Sequence, residues 1–328
     1  VLATGTNPIE ARRVGEARAD ATFGTFSDKL ITELSHGFRS EKHKEQWRAT
    51  LRLHASSLRD KRLDEITTED VLGVLSPIWQ TKHESASRLR GRIERILDAA
   101  RARGLRTGEN PARWRGHLDS LLAGRRRIAQ AHYAAMPYPD VPGFVQVLRA
   151  HQGAAAVALE FGILTAARSA EILGARWDEM DLAARIWTLP PHRMKAGREH
   201  RVPLSKTAMD IVAQMQAIRT GDYVFPGLVP GRPLSVNALK KVLSGANVQG
   251  PTVHGFRSSF RDWAGECTAF PREVAEAALA HTVGDETERA YRRGDALEKR
   301  RLLMDAWAGF LAAPKVGGQV VPIGRAAR

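Results

Sequence analysis

Residues 154–173 read AAAVALEFGILTAARSAEIL, and residues 177–189 read WDEMDLAARIWTL. The apolar run Ala154–Leu164 predicts a buried helix, and Ser169–Leu173 a second, short one. The pattern then changes. Trp177–Leu189 and His200–Pro203 are the strand material of the chain, separated by a loop over Pro190–Glu199. After Ser205 the text is helical again, with helices predicted at Thr207–Arg219, Val236–Leu243, Val253–Glu266, Arg272–Leu279, Glu286–Tyr291 and Leu297–Leu311. This half of the chain therefore reads as mixed, mostly α, with a small antiparallel β-sheet.

Upstream the pattern is helical throughout. Phe26, Leu30, Ile31 and Leu34 recur at helical spacing, and Trp47, Leu51 and His54 continue it on a second helix. Thr67 or Thr68, followed by Glu69 and Asp70, marks a helix start, and Val71, Leu72, Val74, Leu75 and Ile78 supply its buried face. Across Ser85–Arg103, Leu89, Ile93, Ile96, Leu97 and Ala100 form one apolar stripe, with Arg88, Arg92 and Arg95 on a basic face beside it. Residues 82–127 hold 13 basic and 5 acidic side chains, a net +8. That face is either a solvated helix surface or a surface laid against phosphates.

Gly104, Gly108 and Asn110-Pro111 close the helical unit. The expected organisation is a tail or linker over 1–21, an all-α domain over 22–115, and a basic interdomain linker over 116–138 containing Arg125, Arg126 and Arg127. A mixed α/β domain over 139–313 and a C-terminal tail over 314–328 follow.

The 328 residues suffice for two domains, and 43% apolar with 26% charged residues is globular composition. The formal net charge is +14, with 25 basic and 18 acidic residues on each side of position 140. An excess shared evenly by both halves points to one polyanion facing both domains, and the pI near 10.4 makes nucleic acid the first partner to consider. The single cysteine, Cys267, excludes an intrachain disulfide and a thiolate zinc site, and fits a reducing compartment. The longest uncharged run, Val242–Phe256, is broken by Gly and Pro, so no membrane span is expected.

Motifs narrow the chemistry further. A Gly-rich loop ending in Lys-Ser/Thr, a paired-His zinc helix and Gly-x-Ser-x-Gly are all absent, and no clustered carboxylates suggest two-metal chemistry. Chemistry on DNA would then proceed without metal or ATP. Metal-free phosphodiester cleavage needs cations on the non-bridging oxygens, a proton donor to the departing 5′ oxygen and a nucleophile. The second half offers Arg168 with Glu171, Lys195, His254 with Arg257, His281 and Tyr291. Singly, each has a structural alternative: an ion pair on a helix, a solvated loop lysine, a packing histidine or tyrosine. Their joint order is what carries weight.

That order runs Thr165-Ala166-Ala167-Arg168-Ser169-Ala170-Glu171-Ile172, Met194-Lys195, His254-Gly255-Phe256-Arg257, Leu279-Ala280-His281 and Tyr291. In it the chain resembles the tyrosine recombinases, in particular the integrases of temperate phages and genomic islands. Trp177-Asp178-Glu179, Arg193-Met194-Lys195 and His200–Ser205 resemble the family's hairpin region, and Gly108–Pro111 the end of its core-DNA-binding domain. Asn7-Pro8 with Arg12-Arg13 resembles the exit from a preceding arm-binding domain. Ala166-Ala167 and Ala280 stand where Gly is common in the family, which restricts the backbone there.

The resemblance implies two domains closing as a C-shaped clamp on duplex DNA. Arg168, Arg257 and His281 would bind the scissile phosphate, Lys195 would protonate the 5′ oxygen, and His254 would assist proton transfer. Tyr291 would form a 3′-phosphotyrosine, and Glu171 would support the site. No metal or other cofactor is implied. The implied function is site-specific recombination at double-stranded attachment sites by a homotetramer on DNA, in the bacterial cytoplasm at the nucleoid, with an accessory DNA-bending or directionality protein. Leu303, Ala306, Trp307, Phe310 and Leu311 form an apolar face on the last helix, for a neighbouring subunit or for its own domain. Two alternatives stand beside this reading: a sequence-specific DNA-binding protein without catalysis, and a relaxing topoisomerase of the same chemistry.

Overall fold

The computed structural model describes residues 21–37, 41–122, 134–151, 153–246, 250–281 and 294–313. Arg125, Arg126 and Arg127, the helix expected at Glu286–Tyr291 with Tyr291 itself, and both terminal tails lie outside the described residues. The chain divides into two compact units, residues 1–129 and 130–328.

The described part of the first unit is helical. Helix α1 (Phe23–Leu34) starts where the Thr22 hydroxyl accepts from the Thr25 amide, and α2 (Glu41–His54) follows. Helix α3 (Thr68–Trp79) opens on a reciprocal cap: the Thr67 hydroxyl accepts from the Asp70 amide, and the Asp70 carboxylate accepts from the Thr67 amide. Helix α4 (His83–Ala102) buries Leu89, Ile93, Ile96, Leu97 and Ala100 against Phe23, Ile31, Trp47, Leu51 and Leu75. Asn110 ties the chain back onto α4, donating to the Glu94 carbonyl (2.8 Å) and Asp98 Oδ1 (2.7 Å) while accepting from the Ala112 amide (2.9 Å).

The second unit is mixed. Helices α5 (Val141–Ala150), α6 (Ala154–Thr165) and α7 (Ser169–Leu173) lead into a three-stranded antiparallel sheet. Its strands β1 (Met180–Asp181), β2 (Ile186–Leu189) and β3 (His200–Pro203) stand in sequence order, with Trp187 opposite Val202 and Leu189 opposite His200. Helices α8 (Lys206–Ala217), α9 (Val236–Gly245), α10 (Gly255–Cys267), α11 (Arg272–Ala278) and α12 (Leu297–Ala312) complete it. Helix α6 is buried along most of its length, as its apolar text requires.

One sequence expectation is corrected, and one left open between two alternatives is decided. Trp177–Glu179 is a turn of 3₁₀ helix rather than strand, because the Glu179 carboxylate folds back to accept from the Arg176 amide at 3.2 Å. The apolar face of α12 packs inside its own unit. Leu303, Met304, Trp307 and Leu311 are buried, Ala306 is exposed, and Trp307 packs with Phe260, Trp263 and Phe310 while donating to the Ile163 carbonyl at 2.9 Å. Among the described residues no helix is long and apolar enough to cross a membrane.

Candidate active site

The end of α6 builds the first half of the site. Ala166 turns into the left-handed region (φ 49°) and delivers Arg168 to the N-cap of α7. The Arg168 amide donates to Glu171 Oε2 and its Nη1 to Glu171 Oε1, both at 2.7 Å. Glu171 is buried, so this pair is built into the fold and is more than a surface helix contact. Arg168 Nη2 reaches across to the carbonyls of Leu279 (3.3 Å) and Ala280 (3.4 Å).

Helix α10 supplies the second half. Its start is crowded: a Cβ on Gly255 would fall 2.3 Å from the Ala134 carbonyl oxygen, so only glycine fits there. His254 stands at the N-cap, and Arg257 follows within the first turn. Arg257 is 4% exposed. Its Nη1 donates to the Ala166 carbonyl, and its Nη2 to the Leu279 carbonyl (2.6 Å) and toward His281 Nε2 (3.2 Å). Burial, with the Arg168 charge nearby, lowers Arg257 to about 10, so it stays cationic at neutral pH. Its buried Nε makes no hydrogen bond.

His281 is oriented by a carboxylate that sequence reasoning missed. Its Nδ1 lies 2.7 Å from Glu276 Oε2, and Glu276 also accepts from Arg261 Nε at 2.7 Å. Burial works against the ionised carboxyl, yet the hydrogen bonds from Arg261 and His281 hold Glu276 below the usual range. An ionised carboxylate only accepts, so Nδ1 carries a proton, while Nε2 faces Arg257 Nη2. His254 is pushed down by burial, then by Arg257 and Arg168, which keeps it neutral at pH 7. A second missed histidine, His200 at the start of β3, is lowered to about 4 by burial and by Arg300. It hydrogen-bonds the Ala278 backbone, one residue before the carbonyl that Arg168 and Arg257 share.

Of the expected site residues, Arg168, Glu171, Arg257 and His281 form one hydrogen-bonded cluster, with His254 within its field. Lys195 stands exposed on the β2–β3 loop and makes no hydrogen bond or ion pair with the described residues. Such a cluster presents two guanidinium groups and two imidazoles, the set that binds and activates a phosphodiester. Among the described residues no three metal-ligating side chains come together.

The basic face of α4 is divided. Arg88 is exposed and paired with Glu84 at 2.9 Å. Arg95 is exposed and lies over the Trp47 ring at 5.9 Å. Arg92 is buried, donates Nη1 to the Gln46 carbonyl at 3.0 Å and also lies over the Trp47 ring, at 5.4 Å. The even three-arginine ridge expected from spacing is therefore two exposed cations and one packing residue.

Residues 23–117 match the phage integrase central domain, and residues 140–298 match the phage integrase family. Prophage integrase IntZ of Escherichia coli (strain K12) is 33% identical over 317 residues, 94% of this chain and 76% of that protein. The integrase of Enterobacteria phage P4 is 29% identical over 338 residues, covering 95% and 74%. Among solved structures, a lambda integrase tetramer bound to a Holliday junction matches with a TM-score of 0.66 at 17% identity, over 86% of this chain and 84% of that one. The Tn1549 transposon integrase in complex with circular intermediate DNA matches with a TM-score of 0.58 at 12% identity, over 87% and 99%.

Proposed function

The chain belongs to the phage integrase family and is a site-specific DNA recombinase, and from that premise we propose how its residues divide the reaction. Arg168, Arg257 and His281 hold the non-bridging oxygens of the scissile phosphate and the charge that grows on them. The Tyr291 phenol oxygen attacks phosphorus, the bond to the 5′ oxygen breaks, and Lys195 gives that oxygen its proton. Neutral His254 takes the proton that the phenol sheds. Glu171 and Glu276 fix Arg168 and His281 without touching DNA. The resulting 3′-phosphotyrosine keeps the bond energy, so a 5′-hydroxyl from a second duplex can re-attack and reverse the step.

The observation that supports this reading best is the shared acceptor. Arg168 and Arg257, 89 residues apart, both donate to the Leu279 carbonyl, two residues before His281. Three separate motifs are thereby tied to one point.

Duplex DNA carrying attachment sites is the proposed substrate, and a homotetramer on two paired duplexes the working assembly, as in the lambda integrase complex. The place of action is the bacterial cytoplasm at the nucleoid. An accessory DNA-bending or directionality protein would bias integration against excision. Arg125, Arg126 and Arg127, with Arg88 and Arg95, would contact the DNA backbone.

A suicide substrate, nicked so that the cleaved end diffuses away, tests the reading. Wild type should accumulate a covalent adduct mapped to Tyr291, with a free 5′-hydroxyl, in the presence of EDTA and without ATP. Tyr291→Phe should bind the same DNA and form none. An adduct on any other residue, or loss of cleavage in EDTA, overturns the mechanism.

A further inference from the structure

Among the described residues expected in the site, Lys195 is exposed and makes no hydrogen bond or ion pair with any other described residue. It lies in the Pro190–Glu199 loop, exposed and remote in sequence from both strand ends. A lysine on a free loop of this length makes a poor proton donor, because rate depends on holding the ammonium at one oxygen. The loop has a second attachment, two residues before Lys195.

Arg193 closes the 3₁₀ turn Pro191–Arg193, and its guanidinium turns inward. Nη1 bonds both carboxylate oxygens of Glu179, and Nη2 donates to the Glu171 carbonyl at 2.7 Å. Glu179 is buried and its carboxylate also accepts from Trp187 Nε1 (2.9 Å) and the Arg176 amide (3.2 Å). The guanidinium lies in space that glycine leaves open: a Cβ on Gly174 would fall 2.6 Å from Arg193 Nη2. Met194, the next residue, is buried and adds a second hook. The consequence is a short route between two site residues. Glu171 grips Arg168 with its carboxylate and Arg193 with its carbonyl, and Lys195 follows Arg193 by two residues, a reach of at most about 7 Å between Cα atoms.

We propose that Arg193 is a positioning residue for Lys195: braced on Glu179 and Glu171, it fixes the base of the β2–β3 loop relative to Arg168 so that the lysine meets the departing 5′ oxygen. The inference rests on Lys195 being the general acid. Arg193 itself touches neither DNA nor the reacting atoms.

The leaving group gives a direct test. When the bridging 5′ oxygen is replaced by sulfur, a thiolate departs without needing a proton, so a defect in proton delivery disappears while a defect elsewhere persists. Adduct formation is measured for the full chain on matched oxygen and sulfur suicide substrates. Arg193→Met should slow the oxygen substrate roughly 10²-fold, the scale of a misplaced catalytic group, and leave the sulfur substrate within about threefold of wild type. Lys195→Ala should show the same split, and adding Arg193→Met to it should cost no more than about a further twofold on oxygen, since both act on one step. Where Arg193→Met leaves Glu179 without its ion pair and the protein does not fold, the double variant Arg193→Met with Glu179→Gln removes that charge and should give the same split. Failure of sulfur to rescue Lys195→Ala overturns the general-acid reading. Rescue of Lys195→Ala without rescue of the Arg193 variants, or oxygen defects that multiply, overturns the positioning role.

Discussion

Ala166 and Ala280 hold the same left-handed backbone, φ 49° at each, and each turns its carbonyl to an arginine from another motif. Ala166 accepts from Arg257, and Ala280 accepts from Arg168. The two turns aim the carbonyls that orient the guanidinium groups, and they do so with a residue that dislikes the conformation. A left-handed L-residue costs roughly 1–2 kcal/mol. Glycine removes that cost but adds about 0.5–1 kcal/mol of unfolded-chain freedom. Ala280→Gly should therefore raise stability by about 0.5–1 kcal/mol, an increase of about 1–4 °C in Tm for a unit of this size. Ala280→Val should lower it, because a branched Cβ fits this region worse. Thermal unfolding of the three proteins checks the order Gly above Ala above Val.

The phosphate clamp proposed above requires a planar fork at Arg257. Its Nη1 and Nη2 are already engaged by two carbonyls in different elements, so the guanidinium plane is fixed before substrate arrives. Lysine keeps the charge but has one ammonium, which cannot serve both carbonyls and a phosphate in that plane. Arg257→Lys should bind attachment-site DNA with near-normal affinity and form adduct about 10²–10³-fold more slowly, the usual scale for loss of one preorganised donor. Cleavage at the wild-type rate would show that charge alone suffices.

Much of this site was legible in the sequence because its chemistry sits in short motifs. Arg168 with Glu171, and His254 with Arg257, each span one helical turn, so spacing alone joins them. The helical unit was equally readable, since the stripe from Leu89 to Ala100 is the stripe that is buried. What spacing could not give was partnership across elements. Glu276 lies only five residues before His281, but nothing local says its carboxylate faces the ring. Arg193 looks like one more basic residue until Glu179, 14 residues earlier, is folded beneath it. Arg92 sits on the polar side of the α4 pattern, and only the approach of Trp47 on α2 makes that position an interior one. Trp177–Glu179 read as strand from its composition, and the Glu179 back-bond overrode that preference.

His200 should make the catalytic unit acid-sensitive in a defined window. Burial first, then Arg300 and Arg168, hold its folded pKa at about 4, with Glu171 and the Ala278 backbone opposing. In the unfolded chain the ring titrates near 6.5. Between those values the unfolded state binds a proton that the folded state refuses, so stability falls as pH is lowered from about 6.5 toward 4. The contribution is on the order of 3 kcal/mol across the window. His254, also lowered, adds in the same sense. Glu276 and Asp295 behave differently: their depressed pKa values give stability that persists above the ordinary carboxylate range and is lost only below it. His200→Gln should flatten the stability profile between pH 6.5 and 4.5, leaving the slope due to His254 and the carboxylate limb below it. Urea unfolding at half-unit pH steps measures this, and an unchanged slope in the variant would place the sensitivity elsewhere.

The three arginines of α4 should separate into two kinds under mutation. Arg92 is buried, with its Nη1 on the Gln46 carbonyl and its plane over Trp47, so Arg92→Ala removes packing, a cation–π contact and a charged hydrogen bond together. The expected cost is about 1–3 kcal/mol of stability in the helical unit. At temperatures where that unit stays folded, the salt dependence of DNA binding should not change, because a side chain committed to α2 releases no counterions. Arg88 and Arg95 are exposed. The Arg88–Glu84 pair is a surface contact worth little, so Arg88→Ala and Arg95→Ala should leave stability within about 0.5 kcal/mol. Each should instead lower the slope of log K against log salt by up to about 0.9 if it neutralises one phosphate. Fluorescence anisotropy with attachment-site DNA across a salt series, beside urea unfolding of the same proteins, distinguishes the two kinds. A reduced salt slope in Arg92→Ala with unchanged stability would mean that Arg92 leaves Trp47 to reach the DNA, and the packing role assigned to it would fall.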